Sequence, residues 1–327
     1  MPRVLVTPHV LYELDGPYRQ ILTAAGLEVV YPPPGRDLMN AEVLVKHLVD
    51  IDAVLAGMEP FNADVLAASR LRVIARMGVG YDAIDVPAAT AHGVLVTITP
   101  GTNEVSVAEQ TLALLLGVMR RVPQRDREVR HGKWIRRAGP RLGGKTLGLV
   151  GLGRIGRALV PRAQGLGLRV IACDPAADRQ YTAAHRVELR SLEALLGESD
   201  VVSLHLPASV ETTDLINAQT LALMKPGAVL INTARGSLVD EAALYDALAS
   251  GHLLGAGLDV FKEEPLPGDH PLLKLDNVVV APHMGGLDDE SEVAMSRLAA
   301  ECVAQLHGGQ WPEECIVNPP ASGTWQW

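Results

Sequence analysis

A glycine-rich turn constrains the fold of this chain more than any other feature of its sequence. The turn reads Gly151-Leu152-Gly153-Arg154-Ile155-Gly156 and follows an apolar stretch, Thr146 to Val150, that predicts a strand. Asp174 ends the next apolar run, Leu168 to Cys173, 18 residues after the last glycine. A strand, this glycine spacing, a helix, a second strand and then an acid are typical of a dinucleotide-binding βαβ unit.

Each element of such a unit has its own physical role. Gly151 permits the tight turn, Gly153 lets a pyrophosphate approach the backbone, and Gly156 lets the helix pack closely on the strand. Asp174 can accept a hydrogen bond from the 2′-hydroxyl of NAD and would repel the 2′-phosphate of NADP, so we predict NAD as the cofactor. Arg179, five residues after Asp174, keeps NADP as an alternative cofactor. The alternative to dinucleotide binding is a glycine-rich turn that binds no ligand.

Composition limits the class of protein. The chain has 327 residues, 48% of them hydrophobic, which is enough for two domains. Its longest apolar stretch, Val105 to Met119, is too short to span a bilayer, and Met1 to Val10 lacks a signal-peptide core, so no membrane partner is expected. The net charge of -9 argues against nucleic-acid binding. The three cysteines form no C-x-x-C pair, which argues against a metal site. They favour a reducing, cytoplasmic location.

Strand and helix patterns alternate along the chain. One series runs from Val4 to Thr97, and a second begins at Thr146. We predict an α/β fold with two doubly wound parallel sheets, in which a Rossmann-type cofactor domain, residues 101–286, is inserted into a flavodoxin-like substrate domain, residues 1–100 and 287–327. A last helix, Glu290 to Leu306, is expected to return to the first domain. Pro161 predicts a kink in the helix that the glycine motif starts.

A second glycine pattern is misleading. Gly139 to Thr146 reads G-P-R-L-G-G-K-T and formally satisfies the phosphate-loop pattern of nucleotide triphosphatases. That loop must follow a strand and begin a helix, whereas here a basic loop precedes it and a predicted strand follows it. We therefore do not expect phosphate binding at this position.

Three polar segments follow predicted strands of the second half, where doubly wound sheets bind their ligands. Arg235 offers a guanidinium suited to a carboxylate, Glu264 a carboxylate, and His283 an imidazole that can move a proton. Each has an ordinary alternative, because Arg235 could cap a turn, Glu264 could be a solvated acid and His283 a structural histidine. The segments are Asn232-Thr233-Ala234-Arg235-Gly236, Asp259-Val260-Phe261-Lys262-Glu263-Glu264-Pro265 and Pro282-His283-Met284-Gly285-Gly286.

Together with two further stretches, these segments resemble the D-isomer-specific 2-hydroxyacid dehydrogenases, a family that includes phosphoglycerate, glycerate and D-lactate dehydrogenases. The further stretches are Arg76 to Asp85, and Asn103 with Ser106-Val107-Ala108-Glu109. The similarity covers nearly the whole chain and also explains the false phosphate loop, because G-K-T before the glycine motif is ordinary in this family.

The resemblance implies a role for each candidate residue. His283 would protonate the carbonyl of a 2-keto acid as hydride arrives from the nicotinamide, Glu264 would orient His283, and Arg235 would hold the substrate carboxylate. Val79, Gly80 and Asn103 would complete the substrate site. The implied cofactor-binding residues are Val107, Gly151, Gly153, Arg154, Ile155, Gly156, Asp174, His205, Pro207, Thr212, Thr233, Ala234, Asp259 and Gly285.

The resemblance leaves the substrate and the assembly open. Phosphoglycerate-oxidising members commonly place an arginine after the strand that matches Ala53 to Ala56, but this chain has Glu59 there, which would repel a phosphate. We therefore favour glyoxylate or hydroxypyruvate, with 3-phosphoglycerate as the alternative substrate. An NADH-sensing scaffold is the alternative of another class, and a long disordered extension that would favour it is not evident. The family also suggests a homodimer built on Glu104 to Arg121.

Overall fold

The computed structural model describes residues 1–320 and 325–327, and these residues divide into two compact units. The first unit consists of Met1–Asn103 with Asp288–Trp327, and the second of Glu104–Leu287. Strands and helices alternate in both. The strands are β1 Arg3–Val6, β2 Glu28–Val30, β3 Ala53–Ala56, β4 Val73–Arg76, β5 Leu95–Thr97, β6 Thr146–Val150, β7 Arg169–Cys173, β8 Glu188–Leu189, β9 Val201–Leu204, β10 Ala228–Asn232, β11 Leu253–Leu258 and β12 Val278–Val280.

Most helices connect successive parallel strands. Short 3₁₀ turns occur at His9–Leu11, Gly236–Leu238, Pro271–Lys274 and Glu313–Cys315. The α-helices are α1 Pro17–Ala24, α2 Ala41–His47, α3 Ala63–Ala67, α4 Val86–Ala91, α5 Glu104–Arg120, α6 Val122–Arg130, α7 Arg154–Gly165, α8 Arg179–Ala184, α9 Leu192–Glu198, α10 Ala218–Leu223, α11 Glu241–Ala249 and α12 Asp289–His307.

Both sheets are parallel throughout. The first unit has strand order β2-β1-β3-β4-β5, which is the flavodoxin-like arrangement. The second has order β12-β11-β10-β9-β6-β7-β8, which is the Rossmann arrangement with one additional strand at an edge. The predicted fold class, two doubly wound parallel-sheet domains, is therefore confirmed.

The central strands β3, β6, β9 and β10 are buried on both faces, as is typical of parallel sheets. In β10, Leu230 contributes to one apolar cluster while Val229 and Ile231 contribute to another, because successive side chains of a strand point to opposite faces. The first sheet behaves in the same way, with Val4 in one cluster and Leu5 in the other. Helices cover both faces and exclude water from them.

The helix α12 packs on the first unit, as the sequence predicted. Met295, Ala299 and Val303 join the apolar cluster that contains Val4 and Tyr18. A capping box between Asp288 and Ser291 starts the helix, since each side chain binds the backbone N–H of the other residue. A chain segment that is distant in sequence thus completes the core of the first unit.

Pro161 does not interrupt α7, which runs from Arg154 to Gly165. A proline at this position cannot donate to the carbonyl of Arg157, four residues earlier. The Tyr181 hydroxyl donates to that carbonyl instead, at 2.8 Å. The carbonyl is satisfied by a side chain from α8, so the helix continues through the proline.

The false phosphate loop has the predicted ordinary structure. Gly143 and Gly144 form a turn that leads directly into β6, and Gly144 has a φ of +86°. No helix begins here, and therefore no helix N-terminus faces a phosphate.

The end of the chain folds back on the first unit. Trp325 donates its indole N–H to the carbonyl of Gly93 at 2.9 Å, and its ring contacts those of Trp311 and Trp327. The sequence left it open whether the tail residues Trp325 and Trp327 pack against the body. The tail residues 321–324 lie outside the described residues. Among the described residues, no helix is long and apolar enough to cross a membrane.

We expect Gly255→Ala to lower the free energy of unfolding by about 1–3 kcal/mol, because the new methyl group overpacks the core. A Cβ atom at Gly255 would lie 2.5 Å from the carbonyl oxygen of Asn277 and 2.7 Å from a methyl carbon of Val118. Urea unfolding followed by circular dichroism measures this change.

Gly165→Ala is the matched control in α7. Open space surrounds a Cβ atom there, and alanine stabilises a helix by about 0.5–1 kcal/mol relative to glycine. Equal stability of the Gly255→Ala variant and the wild type would contradict this account of the packing.

Candidate active site

Three adjacent strands of the second unit end beside one another. β10, β11 and β12 are neighbours in the sheet, and their carboxyl ends lead into the segments that carry Arg235, Glu264 and His283. In doubly wound sheets this is the edge at which ligands bind. All three candidate catalytic residues belong to the second unit.

The imidazole of His283 and the carboxylate of Glu264 form the central pair. His283 Nδ1 lies 2.6 Å from Glu264 Oε2, and the other carboxylate oxygen accepts the backbone N–H of Phe261 at 2.8 Å. The two side chains are 31% and 29% exposed, so the pair is accessible from the surface of the unit. Because Glu264 occupies Nδ1, the Nε2 atom of His283 is the ring nitrogen that can exchange a proton with a substrate.

The backbone of His283 is held as firmly as its side chain. Its N–H donates to the carbonyl of Asp259 at 2.7 Å, and its φ is +53°, in the left-handed region. The N–H groups of Met284 and Gly285 donate to the two carboxylate oxygens of Asp259, at 3.1 and 2.7 Å. Asp259 thus fixes the turn on which the imidazole is carried.

The segment of Arg235 is fixed by Asn232 and by close packing. The Asn232 side chain donates to the carbonyl of Arg235 at 2.8 Å and accepts the N–H of Ala234 at 3.0 Å. A Cβ atom at Gly236 would collide with the backbone of Phe261, so this position requires glycine. The loops after β10 and β11 therefore fit against each other, with the guanidinium and the Glu264 carboxylate in the same region.

The surroundings shift the pKa values of the two carboxyl groups of the site, Asp259 and Glu264, in opposite directions. Burial raises the pKa of Asp259, which is 1% exposed, more than its hydrogen bonds lower it. Burial also acts on Glu264, but the hydrogen bonds from His283 and Phe261 and the nearby charge of Arg235 outweigh it and lower the pKa of Glu264. Glu264 is therefore the carboxylate that stays ionised beside the imidazole.

The glycine motif has the geometry that a dinucleotide requires. Gly151 has a φ of +98°, and a Cβ atom there would collide with the carbonyl of His205. A Cβ atom at Gly156 would lie 2.6 Å from the carbonyl oxygen of Gly151. Gly153 has a φ of -72° and open space where its Cβ would be, so nothing in the protein requires glycine there. A pyrophosphate bound against this backbone would leave no room for a side chain at Gly153, which explains the glycine. The residues present therefore fit the cofactor.

The helix that follows the motif adds to this fit. α7 begins at Arg154, and no side chain in the part of the chain that the structure describes caps its N-terminus. The free N–H groups of the first turn, including that of Ile155, form an anion site. Asp174 accepts the N–H groups of Leu152 and Ala176, at 2.6 and 2.7 Å, which fixes its carboxylate beside the motif.

Other predicted cofactor-binding residues lie along the same edge of the sheet. His205 follows β9, and burial lowers its pKa to about 4, so its ring is neutral. The Thr212 hydroxyl donates to the carbonyl of Pro207 at 3.0 Å. Val107 lies on α5, is 6% exposed, and accepts the hydroxyl of Thr111.

Two residues of the site were not predicted from the sequence. The Thr111 hydroxyl forms a 3.0 Å hydrogen bond with that of Thr233, and the Gln110 side chain interacts with the carboxylate of Asp259. Both lie on α5, more than a hundred residues before their partners in the chain. No local pattern marks them, because their role arises only when α5 packs against β10 and β11.

The predicted substrate residues Val79, Gly80 and Asn103 belong to the first unit. Val79 and Gly80 follow β4, and Gly78 before them has a φ of +142° and donates its N–H to Thr99 at 2.9 Å. Asn103 is 7% exposed. Among the described residues, no group of three or more histidine, cysteine or acidic side chains could hold a metal ion.

Comparisons with known proteins agree with this geometry. Residues 112–285 match the family described as D-isomer specific 2-hydroxyacid dehydrogenase, NAD binding domain. A glyoxylate reductase from Korarchaeum cryptofilum is 42% identical over 295 residues, which cover 86% of this chain and 89% of that protein. The chain belongs to the D-isomer specific 2-hydroxyacid dehydrogenase family. It is an oxidoreductase that uses NAD, and the predictions of family, enzyme class and cofactor are confirmed.

Two further relatives show the range of the family. A D-3-phosphoglycerate dehydrogenase from Archaeoglobus fulgidus is 39% identical over 287 residues, and the matched region spans 86% of this chain but only 54% of that protein. The structure of a D-lactate dehydrogenase from Aquifex aeolicus, complexed with NAD and lactic acid, superposes with a TM-score of 0.84 at 29% identity and covers 97% of this chain and 100% of that one.

We expect Glu264→Gln to remove an acid-sensitive contribution to stability. The pKa of Glu264 is lowered from its ordinary value of 4.5, so its ionisation stabilises the folded state above pH 4.5. That contribution is lost as the pH falls through the lower folded pKa. The difference in unfolding free energy between the wild type and the variant, measured by urea titration, should therefore shrink from pH 6 to pH 3. A difference that stays constant over this range would contradict the assigned ionisation.

Proposed function

We propose that this enzyme reduces a small 2-keto acid, of the glyoxylate or hydroxypyruvate type, to the 2-hydroxy acid with NADH. The observation that carries the proposal is the 2.6 Å hydrogen bond between His283 and Glu264, at the strand ends that also carry Arg235. An oriented imidazole and a guanidinium are the two groups that protonation of a carbonyl and binding of a carboxylate need. The relative from Korarchaeum cryptofilum is named a glyoxylate reductase.

His283, Glu264 and Arg235 would each have a separate role in the reduction. NADH, when bound, supplies the hydride. Nε2 of His283 donates a proton to the substrate carbonyl oxygen, while Glu264 stabilises the positive charge of the imidazole and keeps its ring oriented. Arg235 binds the substrate carboxylate through charge-assisted hydrogen bonds. In the reverse direction the same imidazole accepts the proton of the hydroxyl group.

The first unit is proposed to bind the substrate through backbone groups. The N–H groups of Val79 and Gly80 donate no backbone hydrogen bond within residues 1–320 and 325–327. They follow β4 at the carboxyl edge of its sheet, where a carboxylate oxygen could accept from both. We propose the same unit as the substrate domain, with Asn103 at its boundary, and the second unit as the dinucleotide-binding domain.

The proposed cofactor site follows the geometry of the second unit. Gly151, Gly153, Arg154, Ile155 and Gly156 would bind the pyrophosphate, and Asp174 the adenosine ribose. We propose that His205, Pro207 and Thr212 line the adenosine side, and that Val107, Thr233, Ala234, Asp259 and Gly285 surround the nicotinamide.

The surroundings of Glu59 support a substrate without a phosphate. Glu59 follows β3, is 7% exposed, and its Oε2 atom has no hydrogen-bond partner among the described residues. Burial raises its pKa, since the N–H groups and the Thr7 hydroxyl nearby only partly stabilise the charged form. The carboxyl group itself offers no cation to a phosphate, and the nearby guanidinium of Arg76, whose charge acts on Glu59, donates to the carbonyl of Met77 and the sulfur of Met58. 3-Phosphoglycerate, the substrate type in the name of the Archaeoglobus relative, is therefore the second candidate.

We expect His283→Ala to lower kcat for keto-acid reduction about 10²–10⁴-fold, because a general acid contributes that much, while the Kd for NADH changes little. NADH oxidation is followed by absorbance with glyoxylate, hydroxypyruvate and 3-phosphohydroxypyruvate, and NADPH is tested in parallel. His92→Ala, which removes an exposed histidine of the first unit, is the matched control and should keep the wild-type rate.

Other outcomes would exclude parts of the proposal. A wild type that binds NADH but turns over none of the keto acids would favour an NADH-sensing scaffold. Preference for the phosphorylated acid would favour phosphoglycerate dehydrogenase. Wild-type turnover by His283→Ala would show that the proton donor is another group.

A homodimer in the cytoplasm is proposed from the region Glu104 to Arg121 and the helix that follows it. α6 has no buried residue, Val122 and Val129 are 55% and 52% exposed, and Trp134 beyond the helix is 81% exposed. Val122 and Val129 are seven residues apart and so share a face of α6, and exposed apolar side chains of this kind favour contact with a second copy of the chain. The cysteines, all free, suit a reducing compartment.

We expect Trp134→Glu to convert a dimer into a monomer, because a charge would be buried at the interface. Sedimentation velocity measures the mass of the particle. Val210→Glu is the control. It places the same charge on a valine of the second unit that is 91% exposed, and it should leave the dimer intact. A monomeric wild type at micromolar concentration would contradict the proposal.

A further inference from the structure

The loop that presents Glu264 has little structure of its own. Residues 261–270 contain no helix or strand, and most of them are exposed. Catalytic geometry nevertheless requires that Glu264 stay aligned with His283 to within a fraction of an ångström. Contacts from outside the loop must therefore hold it in place.

Glu241 makes such contacts at both ends of the loop. Its Oε1 atom accepts the backbone N–H of Lys262 at 2.9 Å, and its Oε2 atom lies 3.4 Å from Nε2 of His270. Both the Glu241 and His270 side chains are 18% exposed. Glu264 lies between these two attachment points in the sequence, so one carboxylate closes the loop that carries it.

The hydrogen-bond directions are consistent with this arrangement. Nδ1 of His270 accepts the N–H of Leu272 at 3.4 Å, which leaves the ring proton on Nε2, facing Glu241.

Glu241 is itself fixed by a well-anchored helix. It is the first residue of α11, whose cap is Asp240, and the Asp240 side chain accepts the N–H groups of Ala242 and Ala243. Leu244 and Leu248, three and seven residues after Glu241, are buried and pack the helix against the body of the unit. Because Asp240 caps the helix, the carboxylate of Glu241 is available for the loop.

Two consecutive N–H groups connect Glu241 with Glu264. Phe261 donates to Glu264 and Lys262 donates to Glu241, at 2.8 and 2.9 Å. These two N–H groups lie in adjacent planar peptides that meet at the Cα atom of Phe261, so only the two backbone dihedral angles of one residue separate them. Release of Lys262 from Glu241 therefore removes a constraint beside the N–H group that holds Glu264.

We propose that Glu241 is a positioning residue for the Glu264–His283 pair, acting through the N–H of Lys262 and the imidazole of His270. The inference rests on the proposed function, because it assumes that this pair transfers the substrate proton. Glu241 does not touch the reacting atoms and acts only through the loop.

Glu241→Ala tests the proposal in the full-length enzyme. We expect kcat to fall about tenfold, because slight misplacement of catalytic groups is costly, while the KM for the keto acid changes less than about twofold. Loss of the Phe261 hydrogen bond raises the pKa of Glu264, since that bond stabilises the ionised form. The acid limb of the pH–kcat profile should therefore move to higher pH.

Conservative and control variants separate positioning from stability. Glu241→Gln keeps an oxygen that can accept the Lys262 N–H and should restore most of kcat and the wild-type acid limb. Glu193→Ala removes an acid from the first turn of α9, another helix of the same unit, and should leave both unchanged. Lys262→Ala removes the 2.6 Å ion pair with Asp214 but keeps the backbone N–H. It should also leave kcat and the acid limb unchanged.

A last measurement does not depend on turnover. Hydrogen–deuterium exchange of residues 260–266 should become faster in Glu241→Ala and stay as in the wild type in Glu241→Gln and Glu193→Ala. Unchanged exchange would overturn the proposal, as would a fall in kcat without a shift of the acid limb. Absence of turnover in the wild type would refute the proposed function instead, while the exchange result would still decide whether Glu241 holds the loop.

Discussion

The register of three parallel strands determines the chemistry of this protein. Backbone hydrogen bonds between β10, β11 and β12 bring their carboxyl ends to one edge of the sheet. Arg235, Glu264 and His283 follow these three strands, so the sheet brings the segments that carry them to one edge. A shift of one strand by a single residue would reverse which of its side chains face each apolar cluster.

The loops that leave this edge hold one another through backbone groups. Gly236 fits against Phe261, the Asp259 carbonyl and carboxylate bind the turn of His283, and Glu241 binds the N–H of Lys262. Each loop thus supplies a support for its neighbour. The result is a site on irregular segments that keeps the rigidity of the sheet below it, as catalysis by well-placed groups requires.

The local environment sets the charge of each titratable group. Asp259 is buried, and its pKa is raised, whereas Glu264 is partly exposed, hydrogen-bonded, and has a lowered pKa. Burial keeps His205, beside the glycine motif, neutral. These differences place one firmly ionised carboxylate beside the imidazole of His283.

The sequence by itself determined the fold class, the family and the candidate catalytic residues. Strand and helix periodicities are local, and the glycine motif with Asp174 records a local backbone requirement, so a single sequence suffices to recognise them. It predicted a kink at Pro161, and that kink stays a prediction; the helix continues past the proline, and the Tyr181 hydroxyl satisfies the carbonyl of Arg157. Only the tertiary structure showed that contact, as it alone placed Gln110 and Thr111 in the site and Glu241 against the loop of Glu264. These side chains meet partners that are distant in the chain, and such contacts are decided by how helices pack on the sheet rather than by any local pattern.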